Sequence, residues 1–106
     1  MIETVLGKKD VSDINRCLMH EHFLFGFCGF QGDMSLGMFD EEKSLVICKE
    51  ELKKATDYGV NTIVDATTNE CGRNVRFLQR LSRETGVNII CSTGYYYEEE
   101  SAFAYW

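Results

Sequence analysis

The pentapeptide Gly59-Val60-Asn61-Thr62-Ile63 returns as Gly86-Val87-Asn88-Ile89-Ile90. Each copy follows a stretch of helical periodicity and opens an apolar, largely β-branched run, so the repeating unit is one strand plus one helix. Strands that alternate with helices are parallel strands joined by right-handed crossovers. Their nearly continuous apolar character agrees, because parallel strands are covered on both faces. The expected class is therefore α/β with a parallel sheet.

The rest of the chain is read around that unit. Residues 1–16 form a polar entry segment with the makings of a short hairpin. Asp13-Ile14-Asn15 reads as a turn, with Asn15 able to take a left-handed conformation. Residues 17–22 are the first strand. Residues 23–39 are a loop rich in Gly and Phe, too long and too apolar for a plain linker, and loops of that length tend to be functional or disordered. A helix then opens at Asp40, a good N-cap, with Glu41 and Glu42 at its positive end. Leu45, Cys48, Leu52 and Ala55 share one face, and Gly59 is a credible stop. Residues 60–65 form the second strand. Residues 74–85 form a second helix with Val75, Leu78 and Leu81 inward, and 87–91 form the third strand. Arg76, Arg80 and Arg83 stripe that helix as a solvated outer face.

The chain holds two histidines. They stand as His20-Glu21-His22, closing the apolar run Cys17-Leu18-Met19. Side chains alternate along a strand, so His20 and His22 share a face and Glu21 takes the other. Two imidazoles at a strand end are surface residues or half of a metal site, and the apolar run before them favours metal. Two ligands do not close a zinc site, which needs three or four. The other strand ends are Asp65-Ala66-Thr67-Thr68 and Ser92-Thr93-Gly94-Tyr95-Tyr96-Tyr97. Sites in (β/α) barrels and in doubly wound sheets lie at that end of the strands. A doubly wound sheet would carry a Gly-rich phosphate loop after its first strand; a metal-type pair stands there instead, which favours the barrel. Asp65 is either a partner that fixes a ligand or a cap of the turn after it. The Gly72-Arg73-Asn74 step either binds an anion at a helix N-terminus or caps the helix and pairs with a carboxylate. Tyr95, Tyr96 and Tyr97 wall a pocket or anchor a loop.

Composition narrows the partners. Seventeen acidic against eleven basic residues leave a net charge of −6, which argues against nucleic acid, since phosphate binding needs a basic surface. Five scattered cysteines fit a reducing compartment and small buried hydrophobes rather than a disulfide framework. No apolar run reaches the ~20 residues of a membrane helix, and Met1-Ile2-Glu3-Thr4 does not open a secretion signal. The expectation is a cytoplasmic chain with no membrane partner.

Taken in order, Leu18-Met19-His20-Glu21-His22, Thr62-Ile63-Val64-Asp65, Gly72-Arg73-Asn74, Thr85-Gly86-Val87-Asn88-Ile89-Ile90 and Thr93-Gly94-Tyr95-Tyr96 resemble the phosphotriesterase family. That family, within the amidohydrolase superfamily, includes phosphotriesterase-related proteins and lactonases. The opening Thr4-Val5-Leu6-Gly7 and Asp13-Ile14 resemble its entry hairpin. The resemblance implies a (β/α)8 TIM barrel with two metal ions, usually zinc, at its C-terminal mouth. It makes His20 and His22 ligands of the more buried metal, with a bridging carboxylated lysine, two histidines and an aspartate coming from later strands. The implied activity is hydrolysis of a lactone, carboxylester or phosphotriester by a metal-bound hydroxide. Tyr96 is implied to line the substrate pocket, and Asp65 and Arg73 to support the site without reacting. No residue of this chain is implied to be catalytic.

A full barrel takes about 250 residues, and this sequence has 106. The expectation is that residues 1–106 are one domain, the N-terminal part of such a barrel, inactive alone and carrying only the first-strand ligands. A sheet with one uncovered face and open edges invites self-association, so a homo-oligomer is expected. The alternative function is a non-catalytic, truncated fragment that assembles through those faces and binds little or no metal.

Overall fold

The computed structural model describes residues 1–27, 30 and 33–96. Tyr97, named above, lies outside them, as do Cys28 and the tail from Glu98 to Trp106. A two-stranded antiparallel hairpin, β1 (Ile2–Thr4) and β2 (Gly7–Lys9), opens the chain. Then come β3 (Arg16–Glu21), α1 (Glu41–Thr56), β4 (Val60–Asp65), α2 (Val75–Thr85) and β5 (Asn88–Cys91). The order β3-β4-β5 makes a parallel sheet, the class the repeat predicts.

The structure gives the repeat its physical meaning. Gly59 and Gly86 both take positive φ, 81° and 74°, a conformation that ends a helix without the cost a Cβ would bring. The asparagines then reach back toward the preceding strand. Asn61 Nδ2 donates to the Asp13 carbonyl (2.8 Å) while its Oδ1 accepts the Asn15 N–H (3.0 Å). Asn88 Nδ2 donates to Thr62 Oγ1 (3.3 Å). Each asparagine therefore helps to register its own strand. Asn15 is not left-handed: among the described residues every positive φ belongs to glycine. The bond from its N–H to Asn61 holds that turn extended instead.

Both helices contribute to one core. Leu45, Cys48 and Leu52 of α1 and Phe77, Leu78 and Leu81 of α2 pack with Val60, Ile63, Val87 and Ile89. Asp40 caps α1 by accepting the Lys43 N–H (3.0 Å), and Asn74 caps α2 by accepting the Phe77 N–H (3.1 Å). The cap moves the inward face of α2 from the one expected. Val75 sits in the first turn, exposed, and Phe77 is fully buried in its place. The arginine stripe is exposed at Arg76 and Arg83 but not free at Arg80, which binds Glu41 and Glu42 of α1 and Glu84 of its own helix. The entry segment is a hairpin whose turn is apolar and docked. Val5 is buried, its N–H donates to the Ile89 carbonyl (2.8 Å), and its carbonyl accepts from Gln79 Nε2 (2.9 Å).

The first strand runs one residue earlier than expected and carries a bulge. Leu18 lies opposite Ile63 and Glu21 opposite Asp65, so three steps of β3 match two of β4. An extra residue of this kind re-aims the side chains beyond it. Leu18 and Glu21 consequently share the α1 side, where both border Glu51 and Leu52.

Candidate metal centre

The bulge decides where the histidines go. Counted from Leu18 with unbroken alternation, His20 would fall on the α1 side. With the extra residue, Glu21 takes that side instead, and His22, just past the strand end, also borders Glu51 and Leu52. The two rings converge, with centroids 5.2 Å apart and planes at 74°. Phe25 meets the far side of His22 edge-on at 4.9 Å, and Phe27 continues the row 5.2 Å beyond. An aromatic loop residue thus buttresses the second imidazole.

Polar contacts fix the same ring from the neighbouring strand. His22 Nδ1 lies 2.9 Å from Thr67 Oγ1, and Thr67 Oγ1 lies 3.3 Å from the Leu24 carbonyl oxygen. Asp65 holds both loops in place. Its Oδ1 accepts the Thr67 N–H (2.9 Å) and its Oδ2 accepts the Phe23 N–H (3.2 Å), with the side chain only 2% exposed. Asp65 is therefore a cap of the turn after β4, and it also ties down the backbone that follows His22. The strand tips are further joined by the Ala66 N–H to the Glu21 carbonyl (2.9 Å) and the Ser92 N–H to the Asp65 carbonyl (3.0 Å). Cys48 reaches beneath this junction, its Sγ 3.9 Å from the Phe23 carbonyl oxygen. Burial, and next the charge of Asp65, pushes its thiol pKa up.

Arg73 and Tyr96 belong to a second group of contacts at the tip of β5. Arg73 Nη1 donates to the Ser92 carbonyl (3.0 Å) and, at the limit of reach, to Gly94 (3.5 Å). It braces main chain rather than a carboxylate, while Asn74 does the capping. The Tyr96 N–H donates to the buried Glu70 carboxylate. Between this tip and the aromatic loop lies an open cavity of about 740 Å³, walled by Phe23, Phe25, Phe30, Phe39 and Arg76 among others. Sequence reasoning missed Thr67, Phe25 and Glu70 as parts of these groups. The only signal for Thr67 was its place in the polar run that ends β4.

Among the described residues no group of three or more His, Cys, Asp or Glu side chains is arranged to hold a metal ion. The donors present are two imidazoles, whose chemistry suits zinc and related ions.

The family model described as "Phosphotriesterase family" matches residues 1–105. The chain belongs to the phosphotriesterase family. An aryldialkylphosphatase of Saccharolobus solfataricus is 33% identical over 94 residues, 87% of this chain and 30% of that protein. An N-acetyltaurine hydrolase of Danio rerio is 30% identical over 121 residues, 90% of this chain and 35% of that protein. Among solved structures, a PTE-like lactonase of Deinococcus radiodurans superposes with a TM-score of 0.93 at 42% identity, covering 99% of this chain and 33% of that one. The chain thus spans about a third of the length of the phosphotriesterase-family proteins it matches. Its parallel sheet and helices correspond to part of the TIM barrel of those lactonases, an incomplete barrel here. No helix among the described residues is long and apolar enough to cross a membrane.

Proposed function

We propose that residues 1–106 form the N-terminal part of a metal-dependent hydrolase, in which His20 and His22 supply the first-strand ligands of a zinc centre. The observation that carries this reading is the convergence of the two rings at the C-terminal end of the parallel sheet, 5.2 Å apart. The bulge in β3 and the bracing of His22 by Phe25 and Thr67 support it, since ligand histidines are as a rule oriented by a second contact. The pair fits one edge of a tetrahedral site and needs donors from other chain segments to complete it.

When bound, the metal would act as a Lewis acid on a carbonyl or phosphoryl oxygen and activate water. The residues of this chain do the positioning. His20 and His22 hold the donor atoms, Asp65 holds the backbone after the tips of β3 and β4, and Phe25 packs edge-on against His22. Small esters are the proposed substrates, with lactones favoured by the likeness to the lactonase structure and phosphotriesters by the likeness to the aryldialkylphosphatase. The acetyltaurine hydrolase adds N-acyl amides to the carbonyl compounds worth offering. Tyr96 is proposed as a pocket residue on the strength of the family resemblance, and the cytoplasm as the compartment on the strength of the odd count and scattered spacing of the cysteines.

The test offers a γ-lactone, an aryl ester, a phosphotriester and an N-acyl amide to the zinc-supplemented protein, alone and in a chain extended to full barrel length. The reading expects turnover in the extended chain that chelation and His20→Ala both abolish. Turnover indifferent to both treatments would overturn it.

A further inference from the structure

We infer that Thr67 is a positioning residue that sets the tautomer of His22, keeping the ring proton on Nδ1 and leaving the Nε2 lone pair free to take a divalent metal. The inference deepens the zinc-ligand reading and rests on it for its functional meaning. It follows from counting protons. A threonine hydroxyl has one proton to give and two lone pairs to receive. Thr67 Oγ1 has two polar neighbours, the Leu24 carbonyl oxygen at 3.3 Å and His22 Nδ1 at 2.9 Å. A carbonyl only accepts, so the hydroxyl proton goes to Leu24. Nδ1 must then be the donor in the shorter contact. A neutral imidazole carries a single N–H, and with that proton on Nδ1 the Nε2 atom is bare.

The opposite arrangement is costly here. A hydroxyl donating to Nδ1 would present its lone pairs to the Leu24 carbonyl oxygen, leaving two acceptors face to face. Thr67 is 2% exposed, so solvent gives that clash little relief, and an unmatched buried polar group is costly. The Thr67 backbone cannot readily turn away, because its N–H is held on Asp65 Oδ1 at 2.9 Å. The Leu24 carbonyl is fixed by the same carboxylate through the neighbouring Phe23 N–H at 3.2 Å. Phe25 against the ring's other side limits rotation about the Cβ–ring bond. Asp65, Thr67 and Leu24 thus form a relay whose output is the state of one nitrogen.

The experiment is a long-range proton–nitrogen correlation on the protein labelled with 15N-histidine, at about pH 8, where the spectrum itself distinguishes the two neutral tautomers from the imidazolium. His22 is expected as the Nδ1–H tautomer. Thr67→Ser, which keeps the hydroxyl, should preserve that pattern. Thr67→Val, which keeps the shape and loses it, should shift His22 toward Nε2–H while His20, the internal control, stays unchanged. A parallel zinc titration, in a chain extended to full barrel length, should show affinity falling about tenfold in Thr67→Val and recovering in Thr67→Ser. An Nε2–H His22 in the unmodified protein would overturn the inference, and that measurement decides even if the valine variant fails to fold. So would an Nδ1–H His22 that persists in a folded Thr67→Val. The tautomer is read without metal. If it is as stated but no zinc binds at the pair, the ligand reading fails and the role of Thr67 stands.

Discussion

At the scale of single residues, Asp65 is where the site is held together. One buried carboxylate accepts two backbone N–H groups, from Phe23 after β3 and from Thr67 after β4. Asp65→Ala leaves both donors buried and unmatched, so urea unfolding should show a loss of about 1–3 kcal/mol for each. Asp65→Asn retains one acceptor oxygen and should lose less. A second residue-scale expectation concerns Cys48, whose buried thiol is held protonated by desolvation and by Asp65. It should react with a thiol reagent only at the rate of local opening, far more slowly than the half-buried Cys17. The sequence made His20 and His22 legible because alternation is a local rule. It left Asp65 between two readings; in the folded chain its carboxylate accepts the Thr67 N–H, capping the turn, and the Phe23 N–H beside His22. The part played by Thr67 was not legible, because it depends on a contact with a residue 45 positions earlier. Arg73 was read for an anion or a carboxylate. Its actual partners, the carbonyls of Ser92 and Gly94, are backbone groups that no residue type announces.

At the scale of elements, α1 and α2 are joined by charge as well as by the core. Arg80 bridges Glu41, Glu42 and Glu84, and Lys49 reaches Glu84 from α1 at 2.6 Å. The hydrogen bond from Arg80 holds the Glu42 carboxyl below its usual range, and bonds from Lys49 and then Arg80 do the same for Glu84. A carboxyl depressed in the folded state stabilises the fold above its unfolded value, about 4.3, and loses that contribution as pH falls through the folded value. These groups are solvent-facing, so the effect is screened by salt. Arg80→Met should therefore flatten the fall in stability below about pH 4.5, and high salt should flatten it in the unmodified protein; denaturant midpoints across that window check both. Phe77 is the apolar anchor of α2, fully buried and edge-on to Phe39 at 6.0 Å. Phe77→Ala should cost about 3–5 kcal/mol by the same measurement. Periodicity located both helices and all three strands of the parallel sheet, but misassigned Val75, because the position of the first turn depends on which residue caps it. The bulge in β3 was invisible for a related reason. It is a property of the pairing between β3 and β4, and neither strand's sequence contains it alone.

At the scale of the whole molecule, the helices cover one side of the parallel sheet and leave the other open, with Met19 71% exposed. Sedimentation of the isolated chain should show concentration-dependent self-association, because that face and the sheet edges offer apolar surface and unpaired backbone. A strictly monomeric chain would mean the face is better solvated than its residues suggest. The fold class was legible at this scale from one repeated pentapeptide, and the family from motifs in order. Donors supplied by other segments of a barrel lie outside anything these residues encode. The central claim is narrower, that His20 and His22 act together as metal ligands. Competition for zinc against a chromophoric chelator tests it most directly, with the unmodified protein beside His20→Ala, His22→Ala and the double variant. In a chain extended to full barrel length, zinc binding that is lost on removing either histidine, with no further loss in the double variant, is the predicted result. Zinc affinity unchanged in the double variant would contradict the account.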